Sequence, residues 1–352
     1  MSHPKLENVN IRSVQLLATP CALQTAVPQT AETLTTVTEG RGTLERIFDG
    51  NDRRLLAIVG PCSIHNLEAA EEYALRLKKL SDEIADTICV VMRVYFEKPR
   101  SVLGWKGLIN DPHMNDTFQI EAGIRMARRF LVRVAEIGLP AATEVLDTLM
   151  PQYIGDLISY SVIGARTAEA QTHREIASGM STPVGFKNAT DGSFAAAANG
   201  MKAAMGAHHF LGVTKDGLPA VFSTAGNRYP QIVLRGGKQP NYDEASIARC
   251  EEALRGADLP VHIIVDCSHG NSDKKPERQG AVLQDILAQL EGGNRSIKGF
   301  MLESHLEWGA QPMPKDPASL RSGLSITDAC IDWATTEVLL REAHRRYSAI
   351  MR

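Results

Sequence analysis

Residues 55–94 read LLAIVGPCSIHNLEAAEEYALRLKKLSDEIADTICVVMRV, and their pattern decides the fold. Two short apolar runs, at 55–59 and 88–94, lie on either side of AAEEYALRLKKL, whose apolar residues recur at i, i+3, i+4 and i+7. Short apolar runs with β-branched residues predict buried strands, and the spacing between them predicts an amphipathic helix. The stretch therefore predicts one strand–helix–strand unit of a parallel sheet.

The same alternation continues along the rest of the chain. A second clear helical pattern, IEAGIRMARRFLVRVAEIG, follows the second strand, and further apolar runs come after it. The predicted strands are at 55–59, 88–94, 140–144, 160–166, 183–187, 231–235, 261–266 and 297–304. Eight strands with helices between them favour a closed (β/α)8 barrel, an α/β fold, over the two domains that a length of 352 residues also allows.

Three segments do not fit the repeat: 1–54, 95–115 and 208–231. They account for the roughly 100 residues in excess of a barrel of about 250 residues. In the third segment HHFLGV and LPAVFS flank the turn sequence TKDG, which predicts an antiparallel hairpin inserted before the sixth strand. We divide the chain accordingly into an N-terminal extension, 1–54, and a barrel, 55–352, that carries the hairpin at 208–231.

Composition excludes several classes of protein. Hydrophobic residues make up 43% and charged residues 22% of the chain, unlike a disordered or collagen-like protein. The net charge of −3 argues against a nucleic-acid binder held by a basic surface. No apolar run approaches the roughly 18 residues of a membrane helix. The six cysteines form no CxxC pair and MSHPKLENVN is unlike a secretion signal, so we expect reduced thiols in a cytoplasmic protein.

Ionisable residues stand at or just after the ends of the predicted strands. In a (β/α)8 barrel the C-terminal strand ends share one rim, where catalytic residues lie. The cations are Arg93, Lys98, Arg100, Arg166, Lys187 and Arg235. The other groups are Cys62, His65, Glu97, Glu144, Cys267, His269, Glu303 and His305. Any single cation is explained as well by a solvated strand end. Several together repel one another unless anions bind among them, so a small, multiply anionic ligand is expected.

The remaining rim groups suggest a metal site. Cys62, His269, Glu303 and Asp328 would offer a thiolate, an imidazole and two carboxylates. This mixed set suits one divalent Mn, Fe, Co or Zn ion better than Mg or Ca. Taken singly, Cys62 is explained as well by a small buried hydrophobe, and His269 by a hydrogen-bonded structural residue. Their common place on the rim is what favours the metal.

Several longer motifs resemble those of one enzyme family. They are GPCSIH, MRVYFEKPRSVLGWKGLINDPHM, IGARTAEAQTHRE, PVGFKNATDG, VLRGGKQPNY, DCSHGNS and SITDAC, and the match covers essentially the whole chain. Together they resemble the type I 3-deoxy-D-arabino-heptulosonate 7-phosphate (DAHP) synthases, the first enzymes of the shikimate pathway. The resemblance implies a metal-dependent condensation of phosphoenolpyruvate with erythrose 4-phosphate that releases inorganic phosphate.

The resemblance also implies roles for individual residues. The metal ligands would be Cys62, His269, Glu303 and Asp328. The phosphoenolpyruvate site would comprise Arg93, Lys98, Glu144, the backbone amide of Ala165, Arg166, Lys187, Arg235 and His269. The erythrose 4-phosphate site would comprise Lys98, Pro99, Arg100 and Ser101, with Asp328 toward the sugar hydroxyls. Lys98, between both substrates, is the candidate to protonate the developing alkoxide, and Glu144 is a candidate to position water.

The chain departs from the usual family motifs at a few positions near the rim. It has Ala168 and Ala170 where hydroxyl residues are usual, Ala189 for glycine, Ser101 for threonine, and Trp308 for an acidic residue. No residue with an implied role is lost, and we expect Trp308 to be exposed or covered by a partner subunit.

Enzymes of this type and length commonly carry a feedback site for an aromatic amino acid, completed by the N-terminal segment of a neighbouring subunit. The corresponding residues here are Glu7, Asn8, Thr148, Pro151, Gln152, Gly179, Ser181, Phe210, Gly212 and Phe222. Gly212 leaves room for a para-hydroxyl, which favours tyrosine over phenylalanine or tryptophan. A site completed in trans implies a homodimer or homotetramer. The alternative is that these residues only form a subunit interface.

Three other functions compete with this one. The related eight-carbon sugar-acid synthase, which uses arabinose 5-phosphate, is disfavoured by KPRS and by the N-terminal extension. A catalytically silent paralogue that senses amino acids is disfavoured by the intact set of predicted metal ligands. A metallohydrolase is disfavoured because Ser63 and Ile64 separate Cys62 from His65, without the His-x-His pattern usual after strand one. The sequence leaves open the metal, the inhibitory amino acid, and the choice between dimer and tetramer.

Overall fold

The computed structural model describes residues 6–100, 102–314 and 316–351, and within them eight parallel strands close into a barrel beside a separate two-stranded hairpin. The strands are β1 (Leu55–Gly60), β2 (Ile88–Arg93), β3 (Ala141–Glu144), β4 (Tyr160–Ile163), β5 (Val184–Lys187), β6 (His209–Val213), β7 (Pro219–Ser223), β8 (Pro230–Leu234), β9 (Ile263–Asp266) and β10 (Ile297–Glu303). The barrel strands pair in chain order, and β10 pairs with β1 to close the ring. The predicted α/β barrel is confirmed.

Helices alternate with the barrel strands. They are α1 (Pro20–Ala26), α2 (Ala31–Phe48), α3 (Leu67–Glu83), α4 (Ile120–Glu136), α5 (Met150–Ile154), α6 (Gln171–Ser178), α7 (Ala195–Met205), α8 (Glu244–Gly256), α9 (Gln279–Glu291) and α10 (Trp333–Met351). None of the helices in the described part of the chain combines the length and apolar character that a membrane span requires.

The hairpin predicted before the sixth barrel strand is present. β6 and β7 pair antiparallel, with Gly212 opposite Ala220. The predicted strand at 160–166 was too long, because β4 ends at Ile163 and Arg166 follows it in a turn. The predicted strand at 231–235 was one residue late, so Arg235 stands just after β8. Both arginines still lie at the C-terminal rim, because they stand in the loops that directly follow β4 and β8.

The alternation of strand residues builds two cores. Leu56 and Ile58 of β1 point into the barrel, where they belong to an inner buried cluster. Leu55 and Ala57 point the other way and belong to the larger cluster packed beneath the helices. The C-terminal rim therefore rests on a filled barrel that fixes the positions of the strand ends.

Helix α2 of the N-terminal extension packs into the same barrel. Leu44, Ile47 and Phe48 join the inner buried cluster. Phe48 also stacks on His262, the residue directly before β9, with ring centroids 5.6 Å apart. The helix thus covers the end of the barrel where the strands begin, opposite the rim.

A buried arginine ties the extension to the barrel wall. Arg128 of α4 is 1% exposed and donates to both carboxylate oxygens of Asp156 at 2.7 and 2.8 Å. It also donates to the Val27 carbonyl at 2.8 Å. Replacing Arg128 with methionine removes the two short hydrogen bonds to Asp156 and the donor to the Val27 carbonyl, so we expect a loss of about 2–4 kcal/mol of unfolding free energy. The exposed neighbour Arg129→Met is the matched control, and urea denaturation with equal midpoints for the two variants would contradict the expectation.

Candidate active site

A cavity of about 400 Å³ opens at the C-terminal rim of the barrel. Its walls contain the six predicted cations, Arg93, Lys98, Arg100, Arg166, Lys187 and Arg235. They also contain Pro99, Glu144, Ala165, His269 and Asp328 from the predicted substrate sites. Ser101, also predicted there, lies outside the described residues. Strand ends from around the barrel are thus brought to one cationic cavity.

Some cations of the cavity wall are free to bind an anion. Arg166 is exposed, and its guanidinium donates to none of the residues that the structure describes. Arg235 makes one side-chain hydrogen bond, to the carbonyl of Gly236 at 3.3 Å. Lys274 lines the cavity as well, although the strand-end pattern did not point to it, because it lies in a loop beyond β9. Such a wall suits a phosphate or carboxylate.

Three of the four predicted metal ligands meet beside this cavity. The sulfur of Cys62 and carboxylate oxygens of Glu303 and Asp328 lie within 4.8 Å of one another. Cys62 and Glu303 are buried, and Asp328 lines the cavity. His269 stands outside this group of three, with its Nε2 3.8 Å from Oε1 of Glu303. We call Cys62, Glu303 and Asp328 the ligand group.

Two cations contact the ligand group. Nη2 of Arg93 donates to Oε1 of Glu303 at 2.9 Å, and Nζ of Lys98 donates to the sulfur of Cys62 at 3.1 Å. Burial would raise the pKa of Glu303, but His269, Arg93 and Lys98 outweigh it and lower the pKa to about 2. Glu303 is therefore a carboxylate at neutral pH.

The ligand group fits a divalent cation. Burial raises the pKa of the Cys62 thiol, and the nearby Glu303 carboxylate raises it further. A coordinated metal removes the proton from such a thiol and offsets the repulsion among three clustered anions. One sulfur and two carboxylates match ions of the Mn, Fe, Co and Zn group. The donor set thus supports a metal at this place.

A buried carboxylate that the strand-end pattern did not single out lies between Lys187 and His269, which both line the cationic cavity. Asp266 ends β9, accepts from Nζ of Lys187 at 2.7 Å and lies 2.9 Å from Nδ1 of His269. Burial would raise its pKa, but His269 and Lys187 outweigh burial and hold the pKa well below the ordinary value. The available signal was a lone acid directly after the apolar run VHIIV.

Glu144 ends β3 and lines two cavities, the cationic one and a larger one next to it. Its carboxylate lies so close to the chain after β4 that a Cβ at Gly164 would stand 2.2 Å from Oε1. Glycine is therefore required there if Glu144 is to keep this position. The predicted rim groups His65, Cys267 and His305 follow their strand ends but are buried and do not line the cationic cavity. Glu97 is also absent from it and lines the larger cavity instead.

The larger cavity, of about 670 Å³, lies between the β3–α5 loop, the α6–β5 loop and the hairpin. It is lined by eight of the ten predicted effector residues, Thr148, Pro151, Gln152, Gly179, Ser181, Phe210, Gly212 and Phe222. The rings of Phe210 and Phe222 stack with centroids 5.7 Å apart. Glu7 and Asn8 are exposed on the N-terminal segment and do not line this cavity within one chain.

Comparison with known proteins places the chain among close relatives. The model of the family described as "DAHP synthetase I family" matches residues 20–341. The "Phospho-2-dehydro-3-deoxyheptonate aldolase, Tyr-sensitive" of Salmonella typhimurium is 50% identical over 348 residues, covering 99% of this chain and 98% of the relative. The Phe-sensitive protein of that name from Escherichia coli K12 is 48% identical over 336 residues, 96% of each chain. The structure of phospho-2-dehydro-3-deoxyheptonate aldolase from Francisella tularensis SCHU S4 superposes with a TM-score of 0.94 at 42% identity, covering 97% of this chain and all of that one.

Proposed function

The chain belongs to the DAHP synthetase I family, and from that membership we propose that it condenses phosphoenolpyruvate with D-erythrose 4-phosphate and water. The products are DAHP and inorganic phosphate, in the first step of the shikimate pathway. The proposal rests on the cavity wall, in which the six predicted cations lie beside the ligand group. Two phosphorylated substrates supply the anions that such a wall needs.

Phosphoenolpyruvate is assigned to a set of cations that runs from the buried end of the cavity to its opening. Arg93 and Lys187 are buried at the ends of β2 and β5, while Arg166 and Arg235 stand nearer the opening. Guanidinium groups bind carboxylate and phosphate through paired hydrogen bonds, so they hold the substrate with its methylene carbon in a defined direction. The backbone amide of Ala165 and the side chain of His269 complete this assigned site.

Erythrose 4-phosphate is assigned to the loop after β2, where Arg100 is exposed and Lys98 reaches inward.

In the proposed reaction, the methylene carbon of phosphoenolpyruvate bonds to the aldehyde carbon, and the aldehyde oxygen gains a proton. Lys98 is placed to donate that proton, because its ammonium lies between the cavity and Cys62. Water then adds at C2 of phosphoenolpyruvate, and phosphate leaves; Glu144 is assigned to position that water.

The metal is assigned to Cys62, Glu303 and Asp328, with His269 as the fourth ligand. When bound, a divalent Mn, Fe, Co or Zn ion supplies Lewis-acid polarisation of the aldehyde oxygen, worth several kcal/mol. Arg93 keeps Glu303 ionised and oriented through their 2.9 Å hydrogen bond.

An assay of phosphate release tests the reaction. We expect release only with Mn²⁺, phosphoenolpyruvate and erythrose 4-phosphate together, and loss of release when a chelator is added. Release with arabinose 5-phosphate in place of erythrose 4-phosphate would instead indicate the eight-carbon sugar-acid synthase. Absence of release with either sugar would contradict an enzyme and favour the amino-acid sensor.

The larger cavity is assigned to a feedback inhibitor, an aromatic amino acid with tyrosine favoured. Its support is the stacked pair Phe210 and Phe222 together with Gly212, which lies against the Phe222 ring. Glu144 lines both cavities, so an occupant of the larger one has a direct physical path to the reaction site.

Enlarging Gly212 tests this assignment. A Cβ at this position would stand 2.9 Å from the Phe222 ring, so Gly212→Ser must displace the ring and narrow the cavity. We expect the tyrosine concentration for half inhibition to rise about tenfold, equivalent to about 1.4 kcal/mol. Val338→Ser on α10 is the control, because Val338 is 66% exposed, lies outside the hairpin and the extension, and does not line the cavity. Inhibition of the unmodified enzyme by phenylalanine alone, measured beside tyrosine and tryptophan, would overturn the tyrosine assignment.

We assign the extension, 1–54, and the hairpin to the contact between subunits of a homodimer or homotetramer. Apolar side chains there are strongly exposed in the single chain, among them Val14 at 80%, Leu16 at 89% and Leu211 at 86%. Burial of such side chains against a second copy removes apolar area from water. Sedimentation equilibrium distinguishes the two assemblies, and a monomer at micromolar concentration would contradict both.

A further inference from the structure

Four polar groups surround the carboxylate of Asp266. It is fully buried at the end of β9. Oδ1 accepts from the backbone N–H of Ser268 at 3.0 Å and from the Ser268 hydroxyl at 2.6 Å. Oδ2 accepts from Lys187 at 2.7 Å and lies 2.9 Å from Nδ1 of His269. One oxygen is thus anchored to its own loop, and the other faces two side chains of the reaction site.

The contact with His269 determines which ring nitrogen faces the ligand group. Nδ1 lies 2.9 Å from the Asp266 carboxylate and 2.8 Å from the Ser268 hydroxyl. Because Ser268 donates its own proton to Asp266, both oxygens beside Nδ1 can only accept, so the proton of the neutral ring lies on Nδ1. Nε2 then carries the lone pair, and it is this atom that lies 3.8 Å from Oε1 of Glu303. A carboxylate behind a histidine fixes the tautomer and the ring direction of a metal ligand.

The contact with Lys187 determines where a substrate-facing charge stands. Lys187 ends β5, whereas Asp266 ends β9, and β8 lies between these strands in the barrel. The 2.7 Å contact therefore spans two strand spacings across the rim. It holds the ammonium group at the wall of the cationic cavity, which Lys187 lines.

We propose that Asp266 is a positioning residue that joins the two halves of the site through a single oxygen, holding His269 toward the metal and Lys187 toward phosphoenolpyruvate. The inference rests on the assignment of these two ligands under the proposed function. It follows that metal binding and phosphoenolpyruvate binding are coupled through this carboxylate, since both depend on the position of Oδ2.

Asp266→Asn tests the metal half. Asparagine has the same shape, but whichever way its amide is turned, the NH2 group faces donors, either the Ser268 backbone N–H or Lys187 and His269. We expect Co²⁺ to bind the full-length variant about 10- to 100-fold more weakly than the unmodified protein, by isothermal titration. The absorption spectrum of bound Co²⁺ should also change, because the ring of His269 is no longer held. A Co²⁺ affinity within twofold of the unmodified protein would overturn the proposal.

Asp266→Asn leaves the buried ammonium of Lys187 without its carboxylate, which can unfold the site. A second comparison is therefore made in a background that lacks this ammonium. Lys187→Met alone should weaken phosphoenolpyruvate binding and leave Co²⁺ affinity within about threefold, well below the 10- to 100-fold loss expected when the support of a metal ligand is removed. Adding Asp266→Asn to that variant should then weaken Co²⁺ binding by the same 10- to 100-fold factor. Equal Co²⁺ affinities of Lys187→Met and the double variant would overturn the proposal independently of folding.

The coupling gives a measurement that does not depend on turnover. In the unmodified protein, saturating phosphoenolpyruvate should raise the Co²⁺ affinity, and Co²⁺ should raise the phosphoenolpyruvate affinity by the same factor. Asp266→Asn should lower that factor, leaving only the part that His269 itself transmits by contacting both ligands, and a factor unchanged from the unmodified protein would overturn the coupling. If the coupling holds but no phosphate is released from the two substrates, the proposed reaction fails while the role of Asp266 stands.

Discussion

Replacing Lys98 with methionine should lower kcat by about 10²- to 10⁴-fold, the range that a positioned general acid contributes. Nζ of Lys98 lies 3.1 Å from the Cys62 sulfur and the side chain lines the cationic cavity. Lys98 therefore lies both beside the ligand group and in the wall of the cavity, where its ammonium can donate to the aldehyde oxygen of the sugar. Burial would lower its pKa, but the Cys62 and Glu303 side chains raise it overall, so the ammonium stays protonated at neutral pH.

Steady-state kinetics with both substrates separate this role from simple binding. Lys98→Arg keeps the positive charge but hardly releases a proton, so we expect it to restore the KM values more than kcat. Lys106→Met is the matched control, because Lys106 is exposed in the same loop and does not line the cavity. Near-normal kcat in Lys98→Met, with only the KM values changed, would remove Lys98 from the proton-transfer step.

Cys62→Ser should abolish stable metal binding and lower kcat/KM by about 10³-fold or more, because Lewis-acid stabilisation of several kcal/mol is lost. The sulfur lies within 4.8 Å of the Glu303 and Asp328 carboxylates, and a hydroxyl is a far poorer ligand than a thiolate for this class of metal. Metal content after dialysis, measured by inductively coupled plasma analysis, reports the loss directly.

The control for Cys62→Ser is another buried cysteine. Cys250 lies within α8, is 0% exposed and is not part of the cavity wall, so Cys250→Ala should keep metal and activity. A Cys62→Ser protein that retains one tightly bound metal per subunit would show that the thiol is not a ligand.

The strands and the rim could be predicted from local pattern. Apolar runs such as LLAIV are buried on both faces in a parallel barrel, and their ends were correct to within a few residues. Strand ends were less certain, because the run YSVIGAR continues past Ile163, where the pairing stops. A one-dimensional pattern also could not separate Arg166, which reaches the cavity, from His65 and His305, which are buried behind it.

The sequence by itself determined the fold class, the hairpin and the family, because periodicity, turn residues and long motifs are local properties of the chain. Only the tertiary structure decided which rim groups touch. Gly60 lies opposite Glu303 because β10 closes the barrel against β1, and this register brings Cys62 to a carboxylate some 240 positions away in the chain. Likewise, Asp266 meets Lys187 only because barrel curvature carries β5 and β9 toward one another across β8. Such distances depend on strand register and closure, which no local pattern records.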